Sequence, residues 1–153
     1  MEAVRPILAL VHVGAALLYV TGYVSTNTLT ELARRAGDIE TRRSHLTLSG
    51  RFDLLYQIPF GTLVGLSGLA VTAANGYSFG ELWIALSSGL FAVVVVIGAG
   101  VWRRRSGRVR DALAAGDDAG VMALLDGPRY RLLTWFERLL VAVVVALMVL
   151  RPA

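Results

Sequence analysis

The chain has 153 residues, 56% of them hydrophobic, a mean hydropathy of +0.62 and a formal net charge of +4. Soluble domains are about 45–50% apolar, so the excess points to a bilayer as solvent. All fifteen basic residues are arginine and most flank apolar blocks, which argues against nucleic-acid binding, while the lack of cysteine excludes disulfides, iron–sulfur clusters and thiol catalysis.

The apolar residues fall into four long blocks with the charges between them. A hydrocarbon core about 30 Å thick needs about 20 apolar residues in a helix. The first expected span covers residues 7–24. Its leader, Met1 to Pro6, carries one Arg and one Glu and leads to no small-residue cleavage site, so the block reads as a span and not as a signal peptide. His12 lies about one and a half turns into it. An ionisable residue inside a span is a functional hypothesis by default. At helical spacing His12 shares a face with Tyr19 and Tyr23. An imidazole there can ligate heme iron or another metal, relay protons, or sit neutral against a hydroxyl or carbonyl. Gly14 and Gly22 mark an adjacent face that competes to be the packed one.

The segment 25–53 carries Arg34, Arg35, Arg42, Arg43 and Arg51, and Thr28 to Arg43 reads as a helical extension of the first span. His45 falls here, most of a bilayer away from His12. Arg51 and Asp53 open the second expected span, residues 54–74, which is interrupted by Gln57 and Pro59; Pro59 is expected to kink its first turns. Gly61, Gly65, Gly68 and Thr72 form a ridge of small residues at spacings of three and four. Such a ridge marks a helix contact, within one bundle or across a dimer.

The linker from Asn75 to Glu81 has no arginine. The third expected span covers 82–102, with Ser88, Gly89, Gly98 and Gly100 as small or polar positions. Seven arginines follow in the segment 103–131. There Asp117 or Asp118 is expected to cap a short helix through Leu125, ended by Gly127-Pro128. The fourth expected span, 132–150, contains Glu137 and Arg138 at its start and is otherwise nearly all aliphatic. Trp83, Trp102 and Trp135 fall near span ends, where indole rings favour the interface.

Block length and the lack of period-2 alternation select helices over barrel strands. The two loops hold twelve arginines against two at the termini, Arg5 and Arg151, so the positive-inside rule places both loops in the cytoplasm. The expected fold is an all-α membrane protein, a single four-helix bundle with both termini outside, in the inner membrane of a bacterium. At the cytoplasmic edge Arg51, Asp53, Glu137 and Arg138 are expected at one depth. Asp53–Arg138 and Arg51–Glu137 are plausible pairs, as a register clamp or an anion site. The run Arg103-Arg104-Arg105 sets topology or attracts anionic lipid. No carboxylate lies at mid-membrane, which argues against a proton-coupled pump. Scattered methionines give no copper ladder, and no nucleophile motif or phosphate-cradling glycine loop is present.

Several short motifs span the chain: Leu8-Ala9-Leu10-Val11-His12, Arg51-Phe52-Asp53 leading to Ile58-Pro59-Phe60, Leu66-Ser67-Gly68-Leu69, and Leu147-Met148-Val149-Leu150-Arg151-Pro152. Together they resemble an uncharacterised bacterial family of four-helix integral membrane proteins, a domain of unknown function. That family is distantly similar to the membrane domain of copper-resistance protein D and to HemJ-type protoporphyrinogen oxidases. The resemblance implies a four-helix bundle and, at His12, a first-span histidine associated with heme. The chain has no lysine, so a second ligand or catalytic lysine of such enzymes has no counterpart.

Three functions follow as expectations. The first is a non-enzymatic accessory or small binding protein with a site at His12, Tyr19 and Tyr23. The second is a b-type heme or heme-linked redox protein using His12. The third is a small transporter that dimerises through Gly61, Gly65 and Gly68. The expected partners are the lipid bilayer and a membrane protein or second copy; heme b is the only cofactor suggested.

Overall fold

The computed structural model describes residues 4–150; Arg151 and Pro152 of the terminal motif, and Met1 to Ala3 of the leader, lie outside the described residues. Among the described residues every regular element is helical. Four helices are long and apolar enough to cross a membrane: Val4–Arg35, Ile39–Asn75, Leu82–Ala114 and Pro128–Leu150, of 32, 37, 33 and 23 residues. At 1.5 Å per residue the first three exceed about 45 Å, so each continues past a hydrocarbon core of about 30 Å. The chain divides into two units, Met1–Ser78 and Phe79–Ala153.

In the first unit α1 (Val4–Arg35) is followed by α2 (Ile39–Phe52), a π-helical turn (Asp53–Gln57) and α3 (Ile58–Asn75). The expected helical extension to Arg43 is broken at Ala36–Asp38. The reason is local: Asp38 is extended (φ −137°, ψ 157°), and its Oδ1 accepts the Thr41 amide at 2.8 Å, starting a new helix. The buried Arg42 then reaches back, donating from Nε to the Ala33 carbonyl (3.2 Å) and from Nη2 to the Ala36 carbonyl (2.6 Å). These are carbonyls at the end of α1, where the helical ladder runs out; the Ala33 carbonyl also takes the Ala36 amide at 3.3 Å.

Pro59 has no N–H to donate and its ring crowds the carbonyl four residues back. The backbone answers before it. Residues 53–57 widen into a π-turn in which the Ile58 amide bonds Asp53 O, and Pro59 sits in the first turn of α3. Gly76, at φ +71°, ends α3 in the left-handed region that glycine enters without strain.

The second unit runs α4 (Leu82–Ile97), a second π-turn (Gly98–Trp102), α5 (Arg103–Ala114), α6 (Asp118–Asp126) and α7 (Pro128–Leu150). Asp117 caps α6 by accepting the Gly120 amide at 2.8 Å, and Pro128 occupies the first position of α7. The α4 stripe Ile84, Ser87 and Val94 is buried at spacings of three and seven, the α7 stripe Glu137, Leu140 and Val144 at spacings of three and four, and α4 packs against α7. Val109 and Leu113 of α5 and Val121 and Leu125 of α6 make a small apolar core of their own.

Leu10, Leu17, Leu54, Leu66, Val96, Leu139 and Val149 are all exposed. An aqueous surface would reject so much aliphatic area, whereas hydrocarbon accepts it.

Candidate functional site

In the first unit α1 lies antiparallel to the α2–α3 rod, and the contact is a ladder of small and polar groups. Gly22 meets the π-turn: a Cβ on it would stand 2.5 Å from Tyr56 Cβ and 3.2 Å from Gln57 N. Of the two glycines flagged beside His12, Gly22 is thus the packed one, while nothing lies within 4 Å of a Cβ on Gly14. Toward the other end of α1, Ser49 Oγ bonds the Thr26 carbonyl at 3.3 Å and lies 3.4 Å from Thr30 Oγ1.

The stripe and the ridge turn out to face each other. Tyr19 lies over Gly61, its ring carbons 3.2 and 3.3 Å from where a Cβ would be. His12 lies over Gly68 in the same way, at 3.1 Å. Gly65, between them on α3, is half-buried. Tyr23 is buried and stacks on Tyr19 with centroids 6.4 Å apart. A further aromatic row, Phe52, Tyr56 and Phe60, runs through the π-turn at centroid spacings of 5.4 and 6.1 Å.

His12 Nδ1 is 3.1 Å from Ser67 Oγ. The direction of that bond follows from what else Ser67 does. Its Oγ is 2.5 Å from the Leu63 carbonyl, an acceptor that takes the only hydroxyl proton. Ser67 Oγ must therefore accept from His12, which assigns the proton to Nδ1 and leaves the lone pair on Nε2. Among the described residues of its own half Nε2 makes no hydrogen bond. Ser67, which sequence reasoning missed as a partner, was visible only as the small residue before Gly68.

Among the described residues no three His, Asp or Glu side chains converge as a metal-holding group. His12 is the donor available at this end. His45, the other histidine, is on α2, and its buried Nδ1 has no hydrogen-bond partner.

The four charged residues expected at one depth divide between the units. Arg51 is exposed on the last turn of α2 and Asp53 begins the π-turn. In the second unit Glu137 is buried, 7% exposed, and its Oε2 accepts from the indole Nε1 of Trp102 at 2.7 Å. Arg138 lies over the Trp135 ring, 5.0 Å from its centroid. A cluster not foreseen from the sequence surrounds the Trp102–Glu137 bond. The Arg105 guanidinium sits 5.3 Å from the Trp102 centroid and 4.9 Å from that of Tyr130, and its Nε donates to the Leu124 carbonyl at 3.0 Å. One arginine so ties α5 to α6 and α7.

Four apolar helices, lipid-suited outer faces and helix contacts made by glycine, serine and tyrosine define an integral, multi-pass membrane protein. The family model that matches residues 6–152 is described as predicted integral membrane protein (DUF2269), and the chain belongs to that family. No curated protein and no solved structure matches it. The family description gives no activity, so a functional reading rests on the residues themselves.

Proposed function

We propose that the chain is a non-enzymatic membrane binding or accessory protein whose chemically armed group is His12, with Tyr19 and Tyr23 lining the same face. One observation carries this reading: the Ser67 hydroxyl commits its proton to Leu63 and so accepts from His12 Nδ1. An imidazole held by its Nδ1–H presents Nε2 as a ligating or proton-accepting atom, which is how outer-shell partners orient metal-binding histidines. Nitrogen NMR of 15N-histidine-labelled protein, with His45→Gln to leave one signal, tests it directly. A protonated Nδ1 and bare Nε2 are expected; the opposite tautomer would remove the basis of the proposal.

The same observation favours b-type heme as the second reading, because a single imidazole nitrogen is what an axial site takes. Heme would add redox or ligand chemistry at the iron; the chain's own contribution is to hold and aim His12. Protein purified from heme-replete cells is expected to show a Soret band that disappears in His12→Ala. Colourless protein would dismiss heme and leave the tautomer result standing. A dimer through the glycine ridge has less support, since Gly61 and Gly68 are covered by Tyr19 and His12 of the same chain.

The twelve-to-two arginine bias supports an orientation with both termini outside and, with it, a position for His12 near the outer face of a bacterial inner membrane. A reporter at the carboxyl end that is active only outside the cytoplasm is expected.

A further inference from the structure

The second unit carries a set of arginines that the aromatic clamp leaves outward. On α5 the face that packs inward is Arg105, Val109 and Leu113, at spacings of four. Arg103, Arg104, Arg108 and Arg110 are exposed around it, and Arg129 and Arg131 are exposed on the first turn of α7. Among the described residues of this unit none of these six has a carboxylate partner. Their depth is fixed by what adjoins them. Trp102, whose indole is bonded to Glu137, immediately precedes Arg103, and exposed Leu132, Trp135 and Phe136 immediately follow Arg131. Both rows of arginine therefore begin within about one helical turn of the lipid-facing surface, at headgroup level.

We infer that this collar is a binding surface for anionic phospholipid headgroups. The guanidinium fork matches phosphate oxygens bidentately, and the fields of several unpaired arginines add at that depth. Arg104 and Arg108 stand four residues apart on one face of α5 and are the centre of the surface, with Asp111 the carboxylate one turn beyond. The clamp through Arg105 holds α5 against α6 and α7, so the arginines are presented without the cost of ordering a loose segment.

The test uses full-length protein carrying Trp83→Phe, which leaves Trp102 and Trp135 as reporters beside the collar. It is reconstituted in mixed vesicles of phosphatidylglycerol and phosphatidylcholine, with bromine on the chains of one lipid at a time. Brominated phosphatidylglycerol is expected to quench several-fold more effectively than brominated phosphatidylcholine. Arg104→Gln with Arg108→Gln should remove most of that preference and bring the two lipids close to equal quenching. The matching Arg→Lys pair should retain most of it. The Gln pair still leaves ten loop arginines against two at the termini, so orientation is preserved. Equal quenching by the two lipids, or a preference unchanged in the Gln pair, would overturn the inference. So would loss of the preference in millimolar inorganic phosphate, which would mark a site for free anion.

Discussion

Replacing Gly22 by alanine tests whether the π-turn and α1 are held by close backbone approach. The added methyl would stand 2.5 Å from Tyr56 Cβ and 3.2 Å from Gln57 N. Carbon atoms rest at about 3.5–4.0 Å, so the two helices must part by about 1 Å. Neither obstacle is the free end of a side chain: one is a Cβ, the other backbone. Overpacking of this kind costs about 1–3 kcal/mol, against a helix-propensity gain of at most about 1 kcal/mol for removing glycine. Gly22→Ala is thus expected to destabilise by about 1–2 kcal/mol. Gly14→Ala, where nothing lies within 4 Å of the new atom, collects the gain without the clash and should be neutral or mildly stabilising. Unfolding by sodium dodecyl sulfate in mixed micelles, followed by circular dichroism, measures both. Equal stability of the two variants would refute the claim that Gly22 is required by contact.

Arg42→Ala removes two donors to carbonyls at the end of α1; the Ala33 carbonyl keeps the Ala36 amide, so the loss falls mainly on Ala36 O and is expected to cost about 1–3 kcal/mol, read in the same titration. Trp102→Phe keeps the ring but leaves the buried Glu137 without its indole donor; a loss of about 1–3 kcal/mol is expected, relieved in part by Glu137→Gln in the same protein. The Asp38 carboxyl is held below its ordinary value, chiefly by the Thr41 amide it caps. Its contribution is therefore complete above the unfolded carboxylate range and is lost as pH falls through the lower folded value. Protection of the amides in the first turn of α2, taken relative to their intrinsic exchange rate, should fall below about pH 4, and in Asp38→Ala it should be low at neutral pH as well.

The four spans were legible because bilayer thickness imposes a block length that no other constraint produces. Helix ends were legible where a side chain announces them, as Asp117 does for α6. The break at Ala36–Asp38 carried a comparable signal in Asp38 and Thr41, but Leu29, Leu32 and Ile39 kept a helical spacing across it and hid it. Pro59 announced a disturbance without its form, the π-turn over residues 53–57, and that Gly22 packs against that turn is a long-range fact. Gly98 and Gly100 looked like packing positions, yet nothing lies within 4 Å of a Cβ on either, and both belong to the second π-turn. Trp102 read as an interfacial indole; that it also satisfies Glu137 depends on the register of α7 against α4. His12 and Ser67 were each visible, 55 residues apart, and only the antiparallel register of α1 and α3 joins them.

That register makes the histidine stripe and the glycine ridge two sides of one contact, with a consequence for Gly68. In lipid, apolar surface gives helices no reason to associate, so contact relies on close packing and hydrogen bonds. Gly68 supplies the space that lets the imidazole lie flat enough on α3 for Nδ1 to reach Ser67. An alanine there would put a methyl 3.1 Å from His12 Cε1 and 3.5 Å from Nδ1, so the ring must yield by a few tenths of an ångström. The obstacle is now a side chain that can rotate, unlike Tyr56 Cβ and Gln57 N at Gly22. Gly68→Ala should therefore cost less stability than Gly22→Ala while disturbing His12 more. In the 15N-histidine spectrum the Nδ1–H tautomer should lose its dominance, with unfolding shifted by less than about 1 kcal/mol. A variant as unstable as Gly22→Ala with an unchanged tautomer would mean that the ridge serves helix packing alone and that the imidazole is aimed by something else.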